Sequence, residues 1–584
     1  LACSAGETIV RVLPDGPIDK TFDYLVPARL APFAAVGAQV RVRLHGRRVS
    51  GWIVDIDVSP PAGVSLAELI AVRGVGPPPE VIALATWAAH RWAGRTASVL
   101  TAASPPALVS RLPPPLMGTV PTGGGVADLP PEALHAPGAV VRLPPPVDHL
   151  PLILAAARLG PALVVTPSLG MARALAARVR RAGVGVAMLP RDWAQARAGV
   201  GVTIGARSAV WAPVRDPAVV VVLDEHDEGL KEERVPAWHA RDAAIERGRR
   251  AGIPVVLVSP CPSLEALAWA PLVTPSRNAE RQGWPALDVV DMRKAPDPAR
   301  TGLYSDALVR LLRSDARVVC VLNRTGRARL LACVACGELA TCERCGAAVT
   351  QPSADFECPR CATVRPPVCL RCHKTRFRNL RAGVTRVREE LEALAGEEVV
   401  DVTADGDELR PARVHVGTEA ALHRVVEADA VAFLDFDQEL LAPRYRAAEE
   451  AFALLARAAR LVGGRRPGSR LLVQTRVPNH EVIDAALHAD PERVAAAEAQ
   501  RRTDLRFPPV AAMAAVSGPG AADLIAALQT PPVLGVDQHS IEVLGPAGGT
   551  WLVRATTHDE LADALARTPR PTARVRIEVD PLRV

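Results

Sequence analysis

Between Cys333 and Cys372 the chain places eight of its eleven cysteines, spaced C-x2-C-x5-C-x2-C-x12-C-x2-C-x7-C-x2-C. In a reducing compartment such pairs are metal ligands and not disulfides. Each C-x2-C makes a tight knuckle whose two thiolates face one ion at about 2.3 Å. Four knuckles therefore predict two tetrahedral four-thiolate zinc sites, two zinc ions per chain. Loop length assigns the partners. Five residues between the first and second knuckles are too few for the two to face each other, whereas twelve between the second and third make an ordinary hairpin. The sites then nest. Cys342, Cys345, Cys358 and Cys361 form the inner site; Cys333, Cys336, Cys369 and Cys372 form the outer one. Gly337 and Gly346 follow their knuckles, where a backbone turn with positive φ is often needed. Cys3, Cys261 and Cys320 stand apart from the cluster.

The remaining sequence is that of a globular chain. Hydrophobic residues make up 49% of its 584 residues and charged residues 23%, which excludes disorder. A net charge of +6 is compatible with an anionic partner without specifying one. No run of eighteen apolar residues occurs, so no transmembrane helix is expected. The N-terminal LACSAG resembles a lipoprotein cleavage box, but no charged and apolar segment precedes Cys3, so no lipid anchor is expected and a cytoplasmic location is.

The flanks of the cysteine cluster alternate strand and helix. Val318–Leu322 reads as a buried strand entering the first knuckle through a turn. Val384–Gly396 has helical character, and Ala430–Asp437 reads as another buried strand. An earlier stretch repeats the pattern in Ala162–Gly183, Gly201–Val214, Ala218–Glu233 and Ile253–Ala270. Continuous apolar strands alternating with helices predict parallel sheets covered on both faces. Two such units in tandem suggest the two lobes of a nucleotide-driven motor.

On these residues the chain resembles the PriA family of replication restart proteins, also called primosomal protein N′. The resemblance rests on IGARSAVWAPV (Ile204–Val214), VVVVLDEHDEGLKEERVPAWHARD (Val219–Asp242), and VLNRTG followed by the four cysteine pairs. LDFD (Leu434–Asp437), LLVQT (Leu471–Thr475), VLGP (Val543–Pro546) and the N-terminal KTFDYLVP (Lys20–Pro27) extend it. It implies an α/β protein with two RecA-like lobes of superfamily 2 helicase type. The two-zinc module is nested in lobe two, a small β-barrel DNA-binding domain precedes the lobes, and an α/β domain follows them. The expected divisions are a DNA 3′-end-binding domain at 1–104, a Pro/Gly-rich linker at 105–139, lobe one at 140–285, lobe two at 286–475 with the zinc module at 333–372, and a C-terminal domain at 476–584. The linker is too short for the family's winged-helix domain.

The resemblance also implies an ATP-dependent 3′→5′ helicase, and here the sequence departs from it. A phosphate-binding loop needs glycines and a lysine. Val140–Gly160 has neither in the loop and carries Pro144, Pro145 and Pro146, which lack backbone donors. The family's DEEH motif reads Leu223, Asp224, Glu225, His226, and a leucine cannot hold magnesium. The arginine motif of lobe two aligns with Arg457–Gly464, where Leu461 and Gly464 replace the arginines. A one-residue shift of register would instead retain Arg460. Thr418–Val425 stands where a Lys-Gly is expected. The expectation is no catalytic and no nucleotide-binding residue, with Glu225, His226 and Asp227 serving strand ends and lobe contacts.

Other parts of the pattern survive. Gly205, Arg207 and Ser208 match a loop that faces the DNA backbone in the family. A close backbone approach, a bidentate cation and a hydroxyl suit phosphate contact. Phe22, Asp23 and Gly46 match the family's pocket for a 3′-terminal nucleotide, although the pocket's lysine aligns with Ile70. Arg41, Arg43, Arg47 and Arg48 could follow a phosphate backbone. The implied partners are branched DNA forks, single-stranded DNA, primosome proteins and single-strand-binding protein, with no membrane. The expected function is fork binding and reloading of the replicative helicase without ATPase activity. The alternatives are an active helicase and a zinc-dependent interaction platform that touches DNA weakly.

Overall fold

The computed structural model describes residues 8–59, 65–121, 131–294, 303–322, 330–379, 387–403, 409–530 and 541–583. The LACSAG box, Cys3 and the Asn323–Gly326 turn lie outside them. Among the described residues no helix is long and apolar enough to cross a membrane.

The N-terminal domain begins as a six-stranded sheet in the spatial order Ala67–Glu68, Phe22–Leu25, Ile9–Pro14, Arg47–Ile56, Gln39–Leu44, Ala71–Gly74. The two edge strands are consecutive in sequence, separated only by Leu69 and Ile70. Leu69 N–H donates to Leu25 O at 2.9 Å and Ile70 N–H to Arg41 O at 3.0 Å. The edges thereby meet and the sheet closes into a small barrel, which removes the exposed strand edges. Alternation fills it: Val10, Val12, Tyr24, Val40, Val42, Ile53 and Leu69 point inward and are buried. Two helices, Pro79–Arg91 and Thr96–Ala103, then join the barrel to the first lobe, where Trp193 Nε1 donates to Ala103 O at 2.8 Å.

Lobe one is a seven-stranded parallel sheet in the order Leu272–Val273, Gly138–Arg142, Val255–Ser259, Val219–Leu223, Ala162–Val165, Val202–Gly205, Val186–Met188. Its central strand, Val219–Leu223, is buried at every position, as a strand covered by helices on both faces must be. Lobe two is a six-stranded parallel sheet in the order Ala286–Asp291, Arg470–Thr475, Ala430–Phe433, Val318–Val321, Val414–Gly417, Val399–Val402. The cysteine module leaves this sheet after Val318–Val321 and returns before the helix Val387–Ala395. The C-terminal region adds helices and a four-stranded antiparallel sheet in the order Glu542–Ala547, Thr550–Ala555, Ala512–Ser517, Arg576–Val579.

The 105–139 stretch, expected as a linker, is pinned to lobe one in part of its described length. Leu116 N–H donates to Gly199 O at 2.9 Å, Gly185 N–H to Met117 O at 2.9 Å, and Thr119 N–H to Gly183 O at 3.1 Å. It thus pairs with the segments that lead into the strands Val186–Met188 and Val202–Gly205. The lobe-one strand Gly138–Arg142 begins before the expected boundary at 140.

Three of the domains share one core, while lobe two has its own. Trp52, Leu84 and Trp92 of the N-terminal domain, Trp193, Trp211 and Val220 of lobe one, and Ala514, Leu524 and Leu565 of the C-terminal region belong to a single apolar cluster. A charged node ties the same three bodies. Asp580 accepts from Arg91 Nη2 at 3.0 Å and lies 2.9 Å from His558 Nε2. Beside it the buried Lys231 ammonium donates to Val579 O at 2.6 Å. Asp580 sits at φ +48°, a conformation that asparagine also tolerates. Asp580→Asn keeps the shape and removes the charge that Arg91 faces. We expect a loss of about 3 kcal/mol, the low end of the range for breaking a buried ion pair, read as a lower urea midpoint with unchanged slope.

Candidate functional site

The cysteine module is built from one repeated turn. In each knuckle the residue after the second cysteine donates its N–H back to the first cysteine's carbonyl at 2.9 Å: Gly337 to Cys333, Gly346 to Cys342, Ala362 to Cys358 and His373 to Cys369. All four adopt the left-handed conformation, with φ of 72°, 73°, 56° and 59° respectively. Gly337 and Gly346 take it without strain, whereas Ala362 and His373 carry a Cβ there at a cost of about 1–2 kcal/mol each. The turns gather the sulfurs into the two nested sets, Cys333, Cys336, Cys369, Cys372 and Cys342, Cys345, Cys358, Cys361. Across knuckles the sulfurs approach to 3.5–3.6 Å. That is far beyond a disulfide bond and close to the edge of about 3.8 Å that a tetrahedron of sulfurs 2.3 Å from a centre requires. Each set can hold one metal ion.

The inner set is fastened to lobe two through Leu441 and Ala442. Arg360 donates to Cys345 O at 3.0 Å and to Ala442 O at 2.8 Å, and Ala348 N–H donates to Leu441 O at 3.0 Å. Phe356 is buried beneath it, edge-on to Phe377 at 4.8 Å and beneath the Arg365 guanidinium. Beside the outer set, Leu330, Ala332 and Leu339 pack into lobe two's core and Arg293 reaches Glu338 at 3.5 Å, while Val334 and Leu370 are exposed.

In the barrel, Phe22 and Asp23 lie on one strand and Gly46 in the hairpin turn between Gln39–Leu44 and Arg47–Ile56. Tyr24 Oη donates to Arg43 O at 3.1 Å and so ties the Phe22 strand to that hairpin. His45 and Gly46, at φ 48° and 78°, make the turn, and a methyl at Gly46 would meet nothing within 4 Å. Phe22 is half-buried against the barrel core. Asp23 is not a free acceptor. It receives Arg11 Nε at 2.8 Å and Nη2 at 3.1 Å from the residue directly across the antiparallel pair. Sequence reasoning missed Arg11. The available signal was its outward position in the Ile9–Pro14 alternation, opposite an outward carboxylate.

The Gly205 loop closes lobe one's sheet beside two buried tryptophans. A methyl at Gly205 would lie 2.9 Å from Ala209 Cβ, so this approach requires glycine. Arg207 Nε donates to Glu232 at 3.2 Å, and Arg207 remains half-exposed, as does Ser208. Trp211 packs edge-on to Trp238 at 5.2 Å behind them.

The cleft where a nucleotide would sit lies beyond the carboxyl ends of lobe one's parallel strands, the usual place for a ligand in such folds. Protein fills it. The Pro144–Pro146 loop follows Gly138–Arg142. A methyl at Gly283 would lie 2.2 Å from Pro144 Cβ, and one at Gly464 would lie 3.1 Å from Pro146 Cγ. Pro145 O accepts from Arg460 Nε at 2.8 Å. Arg460 also grips Asp224 with both terminal nitrogens, at 2.6 and 2.7 Å. One turn earlier Arg457 donates to Asp227 at 2.7 Å and pairs with Glu419. Arg457 and Arg460 are three apart on the helix Ala447–Val462 and so share the face toward lobe one. Helical phase therefore brings Arg460 to the acidic strand end. Leu461 packs at lobe two's own core, and Gly464 follows the helix.

The other acidic residues are engaged as well. Glu225 is fully buried and accepts from Ser263 N–H at 2.7 Å and Ser263 Oγ at 2.8 Å. Burial raises its carboxyl above the ordinary range, against the pull of Arg241. His226 Nδ1 lies 2.8 Å from Ser259 Oγ. Burial works against ionisation of Asp224 too, but the Arg460 guanidinium prevails and holds that carboxyl well below its usual range.

His149, buried at the start of the helix Leu150–Leu159 beside Asp224 and Arg460, is pushed down to about 4 by burial. The ring stays neutral in the folded chain, whereas the unfolded chain takes up a proton near 6.5. Its contribution is therefore complete above pH 6.5 and is lost as pH falls toward 4, amounting to on the order of 3 kcal/mol. His149→Gln should narrow the gap between urea midpoints measured at pH 7 and pH 4.5, and NMR of the wild-type ring should show no titration between pH 5 and 8.

Fold and sites together define a two-lobed α/β protein with a small N-terminal barrel and two four-cysteine sets that can each hold a metal ion. Residues 11–105 match the 3′DNA-binding domain (3′BD) family. The probable replication restart protein PriA of Mycobacterium leprae is 29% identical over 97% of this chain and 99% of its own. That of Mycobacterium tuberculosis is 31% identical over 91% of this chain and 89% of its own. The replication restart protein PriA of Bacillus subtilis is 26% identical over 54% of this chain and 43% of its own. The chain belongs to the replication restart protein PriA family.

Proposed function

We propose that this protein binds stalled or abandoned replication forks and promotes primosome assembly and reloading of the replicative helicase without hydrolysing ATP. One observation carries the second half of this reading: the place of a phosphate cradle is taken by Pro144–Pro146 and by the Arg460–Asp224 pair. An arginine finger alone is worth about 10³–10⁵ in rate, and the cradle and its metal supply much of the remaining charge stabilisation. Leu223 in place of an acidic ligand leaves magnesium without its oxygen. Purified protein should show fork binding and no DNA-stimulated ATP turnover in a phosphate-release assay. Leu223→Asp should be equally inactive, because residues that act as a unit are not rescued singly. Turnover that is abolished by a change at Asp224 or Glu225 would restore the helicase reading.

Fork recognition is assigned to the barrel. Phe22 offers a ring for stacking, and Asp23 retains lone pairs that Arg11 leaves open for a 3′-hydroxyl. Gly46 leaves open space at the hairpin turn, and Ile70 stands where the family has lysine. Gly205, Arg207 and Ser208 would meet the phosphate backbone. Asp23→Ala should remove the preference for a 3′-hydroxyl over a 3′-phosphate in fork-binding titrations. The residual affinity should still fall steeply with salt, because phosphate contacts remain. Wild-type protein without that preference would refute the pocket. Primosome proteins and single-strand-binding protein are the partners this role requires.

The metal is assigned as zinc, which suits four thiolates in a closed tetrahedron. Each ion would contribute on the order of 10–16 kcal/mol to local folding. Metal analysis should find two zinc ions per chain. Cys369→Ser should release the outer ion alone. Cys345→Ser should release the inner one and free the module from Leu441 and Ala442, seen as new proteolytic cleavage between 333 and 372. One ion or none in the wild type would refute the assignment.

A further inference from the structure

The contacts that fill the nucleotide cleft also cross it. Asp224, Asp227 and the proline loop belong to lobe one; Arg457, Arg460 and Gly464 belong to lobe two. A second crossing is centred on Glu265 of lobe one. It receives Arg446 of lobe two and, at 3.2 Å, Arg502 of the C-terminal region. Arg502 is 1% exposed and also pairs with Glu449 of lobe two and with Glu498. Glu449 returns across the boundary to accept from Leu264 N–H at 3.1 Å. A third contact is the buried Arg142, at 2.9 Å from both Glu280 and Glu492. Moving one lobe against the other would take Arg460 from the buried Asp224, and Arg446 and Arg502 from Glu265, which would keep only Arg241 at 3.9 Å; a buried carboxylate short of its cation is the costly case.

We propose that the chain holds its own lobes in one fixed relative orientation, with Arg460 and Arg502 as two pins and no dependence on nucleotide. This deepens the reading of a non-hydrolysing scaffold. Its test reads lobe geometry instead of ATP turnover or DNA affinity, so the two can fail separately. The device replaces a cycle by a static frame, in which lobe two and its cysteine module stay at constant spacing from the Gly205 loop and the barrel.

The test uses the full chain, metal-loaded, with spin labels on noncanonical amino acids at exposed Arg191 in lobe one and Val426 in lobe two. Pulsed electron resonance should give one narrow inter-lobe distance, unchanged by magnesium-ATP, magnesium-ADP or forked DNA. Asp224→Asn should add a second distance. It should also raise hydrogen exchange at the amides of Leu143 and Val147 in the proline loop roughly a hundredfold. Arg460→Lys keeps the charge but gives up the two-pronged contact and should raise exchange to a smaller extent. Two distances in the wild type, or a shift on adding nucleotide, would overturn the proposal. So would Asp224→Asn and Arg460→Lys both indistinguishable from wild type. Should Asp224→Asn fail to fold, the wild-type distances and Arg460→Lys decide the matter.

Discussion

The pairing of Arg460 with Asp224 is the interaction on which the arrangement of the two lobes turns. It joins the end of a lobe-two helix to the carboxyl end of lobe one's central strand, and Asp224 is only 3% exposed. A carboxylate at that depth is tolerable only with a cation against it. A guanidinium serves because its planar fork meets both carboxylate oxygens while its remaining nitrogen reaches a carbonyl, here that of Pro145. In a nucleotide-binding protein the positive groups of this cleft answer phosphate charge. Here the arginine answers the strand-end acid directly, beside the Pro144–Pro146 loop.

The clasp reaches the surface assigned to DNA through one short loop. Asp227 accepts from Arg457 with one oxygen and from Gly229 N–H, at 2.8 Å, with the other. Gly229 sits under Pro167, with space for no side chain: a methyl there would lie 2.7 Å from Pro167 O. Arg207 of the Gly205 loop is held two residues beyond this turn's end, through Glu232. The inter-lobe contact and the exposed arginine are therefore set by the same few backbone atoms.

How much of this was legible in the sequence depended on how local the determinant is. The metal sites were readable down to the pairing of knuckles, because C-x2-C geometry and loop length are sufficient to decide them. The parallel sheets were readable because strands buried on both faces are continuous apolar runs. Two features escaped for a common reason, since each depends on which residue meets which across a distance in the chain. Arg11 opposes Asp23 only once the strand register is fixed. Arg460 rather than Leu461 faces Asp224 because the phase of the helix Ala447–Val462 sets the contact, and motif spacing carries no phase. The 105–139 stretch read as a linker from its prolines and glycines. Composition does not register that Leu116 and Met117 lend backbone groups to the edge of a sheet.

The two kinds of cross-link in the molecule divide the work by chemistry. Thiolate knuckles need no large core. They let a module of about forty residues, too small to bury much apolar surface, stand against lobe two with Val334 and Leu370 exposed. Arginine–carboxylate pairs need the reverse, a position at the margin of a large core, where low dielectric strengthens them and neighbouring side chains hold the geometry. Arg502 illustrates this: its guanidinium lies over Tyr445 at 5.2 Å while its nitrogens meet Glu265, Glu449 and Glu498. If lobe one moves, Arg502 loses Glu265 and keeps Glu449, Glu498 and the Pro508 carbonyl, so the carboxylate is the partner left short. Arg142 and Arg502, both buried, each meet carboxylates from more than one domain in this way.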